Sequence, residues 1–239
     1  LHFGVGKHTT IDEIKVVWNN GKEEIKKNIN SNQKLTFANK EATKIATTTK
    51  ESPRIFTTDT TQFFPEYKLV ENYHDDFATQ VLLPHQMSAF GPALAIADVN
   101  GDGLDDYYIG GAAEQKGALI IQNDSGFVQQ SSSFLDEDIL SEDTGALFFD
   151  ADDDGDKDLY VVSGGYEFTK TDNLLRDRLY LNDGNGEFTK VPETLMPNII
   201  SSGSKAYNAD FDNDGDEDLL VLGRQMPGNC PSAASSDIL

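Results

Sequence analysis

Apolar residues along this chain fall in short runs separated by stretches of Asp, Asn and Gly. Ala93–Ala97, Tyr107–Ile109, Ala146–Phe149, Leu159–Val162 and Leu219–Leu222 are each three to five residues long. Most are rich in β-branched or aromatic side chains and end at a glycine or an acidic cluster, which predicts short buried strands. Two further segments read as hairpins. Leu119-Ile-Ile and Phe127 flank Gln-Asn-Asp-Ser-Gly126, and Leu179-Tyr-Leu and Phe188 flank Asn-Asp-Gly-Asn-Gly186-Glu. Near the start, Ile14–Trp18 and Lys22–Ile25 flank Asn19-Asn20-Gly21, a hairpin signal of the Asn-Gly type. Leu35-Thr-Phe37 is expected to add a third strand there.

The polar stretch between paired strands is written three times in register. It reads Asp98-Val-Asn100-Gly-Asp102-Gly103-Leu104-Asp-Asp106, then Asp150-Ala-Asp152-Asp-Asp154-Gly155-Asp156-Lys-Asp158, then Asp210-Phe-Asp212-Asn-Asp214-Gly215-Asp216-Glu-Asp218. Oxygen side chains occupy positions 1, 3, 5 and 9, and glycine occupies position 6. Carboxylates this dense repel one another unless a cation sits among them. Hard oxygen donors at alternating positions, with a glycine for the sharp turn, predict a Ca²⁺ loop in which position 7 (Leu104, Asp156 and Asp216) offers its backbone carbonyl. An EF-hand would need helices on both sides and a Glu at position 12, where this chain has Ile109, Val161 and Val221. The expected unit is strand, Ca²⁺ loop, strand, with three Ca²⁺ sites in all.

The loops begin at 98, 150 and 210, intervals of 52 and 60 residues, which marks a structural repeat. Each unit continues past Gly110-Gly111, Gly164-Gly165 or Gly223, and the first two go on into a hairpin. That makes four strands per repeat, the content of one propeller blade. Tyr166–Arg178 is extra in the second unit and is expected to form a loop on one face. Its Tyr166, Phe168 and Arg176 are residue types favoured at contact hot spots, or equally the anchors of the loop. Leu239 corresponds to Leu179, the start of a third blade strand, so two blades are expected complete and the third cut short. The fold class is therefore all-β: a partial β-propeller preceded by a small β module.

The repeated apolar-Asp-x-Asn/Asp-x-Asp-Gly-x-x-Asp-apolar pattern resembles the FG-GAP (VCBS-type) repeat, the blade of integrin α-chain propellers and of many bacterial surface proteins. The resemblance covers residues 78–239 and implies that Asp98, Asn100, Asp102 and Asp106, and their counterparts in the other two loops, are side-chain ligands. Leu1-His-Phe-Gly-Val-Gly6, the Val-Val-Trp-Asn-Asn-Gly-Lys turn and Asn32-Gln33-Lys-Leu35 resemble the ASPIC/UnbV module over residues 1–38. That module commonly accompanies FG-GAP repeats. Residues 39–77 then form a linker and lead-in, Thr-rich and polar over 39–62.

Charge is unevenly distributed. The chain carries −22 overall, yet its first fifty residues hold nine lysines against five acids. The acidic balance argues against nucleic acid as a partner, and no apolar run approaches the 18 residues of a membrane span, so direct membrane insertion is not expected. Lysines in the first module alternate with Glu, as on a solvated sheet face. Cys230 is the only cysteine. The four histidines have no metal spacing, and no nucleophile or acid/base constellation stands out, so no catalytic residue is expected. Loops of modest Ca²⁺ affinity suit the millimolar calcium outside cells. The function expected is a noncatalytic extracellular or cell-surface module, bacterial outer membrane included, that binds a protein or glycan partner. The alternative is the accessory propeller region of a larger secreted polysaccharide-active enzyme.

Overall fold

A computed structural model describes residues 2–44, 56–57, 64–224, 226–228 and 236–238. The chain divides into two compact units, residues 1–58 and 59–239. Much of the 39–62 linker, and Cys230 and Leu239, lie outside the described residues.

The first unit is a three-stranded antiparallel sheet of β1 (Thr10–Val17), β2 (Lys22–Asn30) and β3 (Thr43–Lys44). The Asn-Gly turn forms as expected. Gly21 adopts φ +75° and donates to Trp18 O at 2.9 Å, and Trp18 N donates back to Lys22 O at 2.9 Å. Lys26–Glu24 and Lys27–Glu13 pair at 3.3 and 3.4 Å, and Lys15 pairs with Glu23. The Lys27–Glu13 pair is exposed, as on a solvated face, while Glu23 and Glu24 are partly buried beneath their lysines. The third strand is not Leu35–Phe37. Side chains of β2 occupy that segment instead of a backbone ladder: Lys26 Nζ donates to Thr36 O at 2.7 Å, and Ala38 N donates to Glu24 Oε2 at 3.0 Å. The Lys26 ammonium also lies 4.7 Å from the Phe37 ring centre. The strand that pairs with β2 follows a short 3₁₀ turn, so the sheet extends past residue 38.

The second unit contains three antiparallel sheets, each in simple up-and-down order. The first is β4 (Leu94–Ala97), β5 (Asp106–Ile109), β6 (Ala118–Asn123) and β7 (Gly126–Gln130). The second is β8 (Glu142–Phe149), β9 (Asp158–Gly164), β10 (Arg178–Asn182) and β11 (Phe188–Lys190). The third is β12 (Gly203–Ala209), β13 (Asp218–Gly223) and β14 (Ser236–Ile238). Each acidic loop joins the first strand of a sheet to its second, as the repeat predicts.

The sheets stack through their apolar faces. Strand β9 is buried along its whole length because both faces of the middle sheet are covered. Leu159 and Val161 meet Ala95, Tyr108 and Leu119 of the first sheet, while Tyr160 and Val162 meet Ala206, Leu219 and Val221 of the third. A strand covered on both sides reads as an unbroken apolar run, which is why this one was so plain in the sequence. The outer faces of the flanking sheets are less covered: Leu94, Ile96 and Tyr207 are exposed there, although Phe64 packs against Tyr107 and Phe127 on the first sheet. Close approach of β8 to β12 needs a glycine. A Cβ on Gly145 would stand 2.7 Å from Ser204 O and 3.0 Å from Lys205 Cα, both backbone atoms.

The segment before the first sheet is fastened to the loop after β5. Tyr67 Oη donates to Gly110 O at 3.0 Å, and Gln115 exchanges hydrogen bonds with Lys68 O (2.9 Å) and Val70 N (2.7 Å). The inserted loop after β9 is also tied down. Asp172 accepts from Leu174 N at 3.1 Å to cap a 3₁₀ turn at Asn173–Leu175, and Leu175 is buried. Arg176 is engaged by Asn173 at 3.2 Å and by Asn198. Tyr166 is only 5 % exposed, so it anchors the loop and is not displayed for contact. Phe168 is half-buried.

Candidate metal centre

The three acidic loops share one backbone conformation. Position 4 is left-handed in each: Gly101 at φ +73°, Asp153 at +59° and Asn213 at +64°. Position 6 is left-handed too, with Gly103 at +84°, Gly155 at +96° and Gly215 at +107°. Gly, Asn and Asp are the residues that enter this region at least cost, so position 4 carries a restriction that ligand spacing alone does not reveal.

These turns aim backbone N–H groups at the first carboxylate. Asp98 Oδ1 accepts from Gly101 N at 2.8 Å and Asp102 N at 3.2 Å, and Oδ2 accepts from Gly103 N at 2.7 Å. Asp150 accepts from Asp154 N at 3.1 Å and Gly155 N at 2.9 Å. Asp210 accepts from Asn213 N at 2.6 Å and Gly215 N at 3.2 Å. Burial alone would raise the Asp98 carboxyl, but backbone donors from Gly103, Gly101, Asn100 and Asp102 outweigh it and hold the group below its ordinary value. Asn100 and Asp212, at position 3, accept from the N–H of position 5 at 3.0 and 3.1 Å. The position-5 carboxylates of Asp102, Asp154 and Asp214 accept from the N–H of position 7, Leu104, Asp156 and Asp216, at 2.9, 2.9 and 3.0 Å.

Position 9 joins the loop to the sheet. Asp106 is fully buried; its Oδ2 accepts from Val99 N at 3.1 Å and its Oδ1 from Gln122 N on β6 at 2.8 Å. Asp158 repeats this with Ala151 N and Asn182 N, each at 2.8 Å, and Asp218 with Phe211 N at 2.8 Å. Burial is the first cause that raises the Asp106 and Asp158 carboxyls. Each of their oxygens accepts one N–H and keeps lone-pair capacity for a cation.

The donor set fits a hard metal ion. Asp150, Asp152 and Asp154 each bring one oxygen within 4.8 Å of the others, and so do Asp210, Asp212 and Asp218. Ligands on opposite sides of a Ca²⁺ ion are about 4.6–5.2 Å apart, given metal–oxygen distances of about 2.3–2.6 Å. The Asp152 carboxyl is raised, first by burial and then by the charges of Asp154 and Asp150, a repulsion that a bound cation would reverse. All fifteen positions named from the sequence therefore lie in loops of one geometry, the third ligand group drawing on position 9 where the second draws on position 5.

Sequence reasoning missed Asn182. Its buried amide donates to Val99 O at 2.8 Å and Lys157 O at 3.1 Å, so one side chain links the first acidic loop to the second. Its place in an Asn-Asp-Gly hairpin read only as turn chemistry. The reading also overlooked Glu71, Glu142 and Glu167, which meet away from the acidic loops.

Comparison with known families agrees with this geometry. Residues 150–221, which span the second and third acidic loops, match the FG-GAP-like repeat, and residues 1–44 match the ASPIC and UnbV domain. The chain thus carries an FG-GAP repeat region with an N-terminal UnbV module. The pairing points to an extracellular, propeller-like repeat module whose Asp-rich groups can hold a metal ion. A search of curated proteins finds no match. Among the described residues, no helix is long and apolar enough to cross a membrane.

Proposed function

We propose that the three acidic loops bind one Ca²⁺ each and that the metal-braced sheets serve as a noncatalytic extracellular module for binding a protein or glycan. The observation that carries this reading is the shared loop conformation, with oxygen donors of the second and third loops converging at metal-binding distances. The loop offers carboxylate, amide and backbone oxygens in a flexible array, which suits six- to eight-coordinate Ca²⁺ better than octahedral Mg²⁺. Each ion would tie the start of one strand to the end of its neighbour, a structural role. FG-GAP repeats are typically extracellular, where free calcium is abundant.

Calorimetric titration of metal-free protein should find a loop stoichiometry of three, with Ca²⁺ preferred over Mg²⁺. Asp154→Ala should remove one ion and leave the other loops filled. Asp124, exposed in the β6–β7 turn, supplies the control: Asp124→Ala should bind as the parent does. Loss of no ion on Asp154→Ala would overturn the ligand assignment.

Recognition is assigned to the connections at the strand ends opposite the acidic loops, where segment lengths differ between repeats. Protein and glycan arrays probed with this chain, with and without chelator, test that step. A partner captured only with calcium present supports it. Capture unchanged both by chelation and by deletion of 167–175 would show that neither metal-braced sheets nor the inserted loop carries recognition.

A further inference from the structure

Three glutamates from distant parts of the sequence meet at the end of β8 opposite its acidic loop. Glu142 is the first residue of β8, Glu71 belongs to the segment before the first sheet, and Glu167 lies in the inserted loop. Glu142 is 1 % exposed, and no N–H or hydroxyl donor reaches its carboxylate oxygens; the group facing them is the Glu167 carboxyl. Glu167 Oε1 and Glu71 Oε2 are likewise shielded from solvent and unpartnered. Glu167 Oε2 accepts from Tyr166 N at 2.7 Å.

Two of the carboxylates face each other across Gly165. A Cβ on that glycine would stand 2.8 Å from Glu167 Oε2 and 2.9 Å from Glu142 Oε2, and its φ of +97° keeps a side chain from being placed there. Glu71 is near enough for its charge to act on both Glu142 and Glu167, and its Oε1 lies 3.5 Å from where a Gly91 Cβ would be. The neighbouring cations do not close the gap. Arg178 is committed to Asp143, and the Arg224 guanidinium lies 4.1 Å from the Phe90 ring centre. Buried polar atoms in folded proteins are nearly always paired, so four buried carboxylate oxygens with no N–H or hydroxyl donor in one place require an explanation.

We propose that Glu71, Glu142 and Glu167 form a further divalent-cation site, of the Ca²⁺ class, separate from the three acidic loops. The donors are carboxylate oxygens with no nitrogen or sulfur among them, which selects a hard ion. Three carboxylates beside one arginine leave two negative charges for a divalent ion to balance. Glu142 and Glu167 form the core of the site, and Glu71 closes on it once the ion offsets their repulsion. Without an ion, the remaining relief is a proton shared between Glu142 and Glu167: burial first, then the Glu167 charge and a hydrogen bond to it, then the charges of Glu71 and Asp143, push the Glu142 carboxyl up to about 9. An ion held here would clamp the leading segment, β8 and the inserted loop together, at the end of the sheet where recognition is assigned. The acidic loops gather ligands from nine consecutive residues, whereas this site exists only in the folded chain.

The proposal stands whether or not the acidic loops bind calcium, and one experiment separates the two. Crystals of the chain grown in calcium should show an anomalous peak between Glu142 and Glu167, apart from any at the loops. By calorimetry, E142Q and E167Q should each bind one ion fewer per chain than the parent, with loop ions retained. Removing the buried acid in E142Q should also raise Tm in chelator, showing that the variant is folded. A map without a peak between the two glutamates, or an unchanged ion count in E142Q, overturns the site and leaves Glu142 a buried protonated acid. Peaks here with none at the loops would instead overturn only the loop assignment.

Discussion

Chelating calcium should destabilise the 59–239 unit more than any single substitution outside the metal sites. A ligand that binds only the folded state stabilises it by about 2.7 kcal/mol at 100 times its Kd, so three such loops together contribute about 8 kcal/mol. That is comparable to the entire stability of many domains. The physical origin lies in the loops: burial first, then the charges of Asp154 and Asp150, raise the Asp152 carboxyl, and removing the ion leaves those charges facing one another. Denaturant melts in calcium and in EGTA measure the difference. The midpoint should fall sharply in EGTA and recover with calcium more fully than with magnesium. Coincident melts would remove the structural role assigned to the metal.

The second large effect should come from a buried ion pair. Asp143 Oδ1 lies 2.6 Å from Arg178 Nη2, with the two side chains 5 % and 6 % exposed. Asp143 Oδ2 accepts from Tyr108 Oη at 2.7 Å and Gly111 N at 2.8 Å, so one carboxylate ties β10 of its own sheet to β5 and the following loop of the first. Burial works against the Arg178 charge, but Asp143, Tyr180 and Tyr108 together outweigh it and raise the guanidinium above its ordinary value. Burial, then Asp143, pushes the Tyr108 phenol well above its usual range, which keeps it a neutral donor. Asp143→Ala should cost about 3–5 kcal/mol, because it strands a buried guanidinium and orphans two donors. Asp143→Leu with Arg178→Met removes both charges and should cost less than the single change. Urea denaturation of the single and double variants decides the point. A double variant as unstable as Asp143→Ala would show that lost packing, not the stranded charge, sets the cost.

The sequence by itself determined everything here that is local. Nine consecutive residues contain a whole acidic loop, so spacing alone located all fifteen loop positions. Short apolar runs located β5, β9 and β13, and the run was unbroken at β9 because only that strand is buried between two sheets. Asn20-Gly21 located the first hairpin, because few residues accept φ near +75°. The strand expected at Leu35–Phe37 failed for a tertiary reason: its apolar residues looked like ladder material, but Lys26 and Glu24 bond to the backbone there at Thr36 O and Ala38 N. The strand expected to start at Leu239 lies instead at Ser236–Ile238. Tertiary structure alone decided what required distant residues to meet. Nothing near Arg178 in the chain points to Asp143, 35 residues away, and nothing near Asn182 points to Val99 O, 83 residues away. Glu71, Glu142 and Glu167 look like ordinary surface acids in an acidic chain. Their burial follows from the stacking of sheets and the folding of the inserted loop over Gly165, and burial is what turns three unremarkable carboxylates into a site.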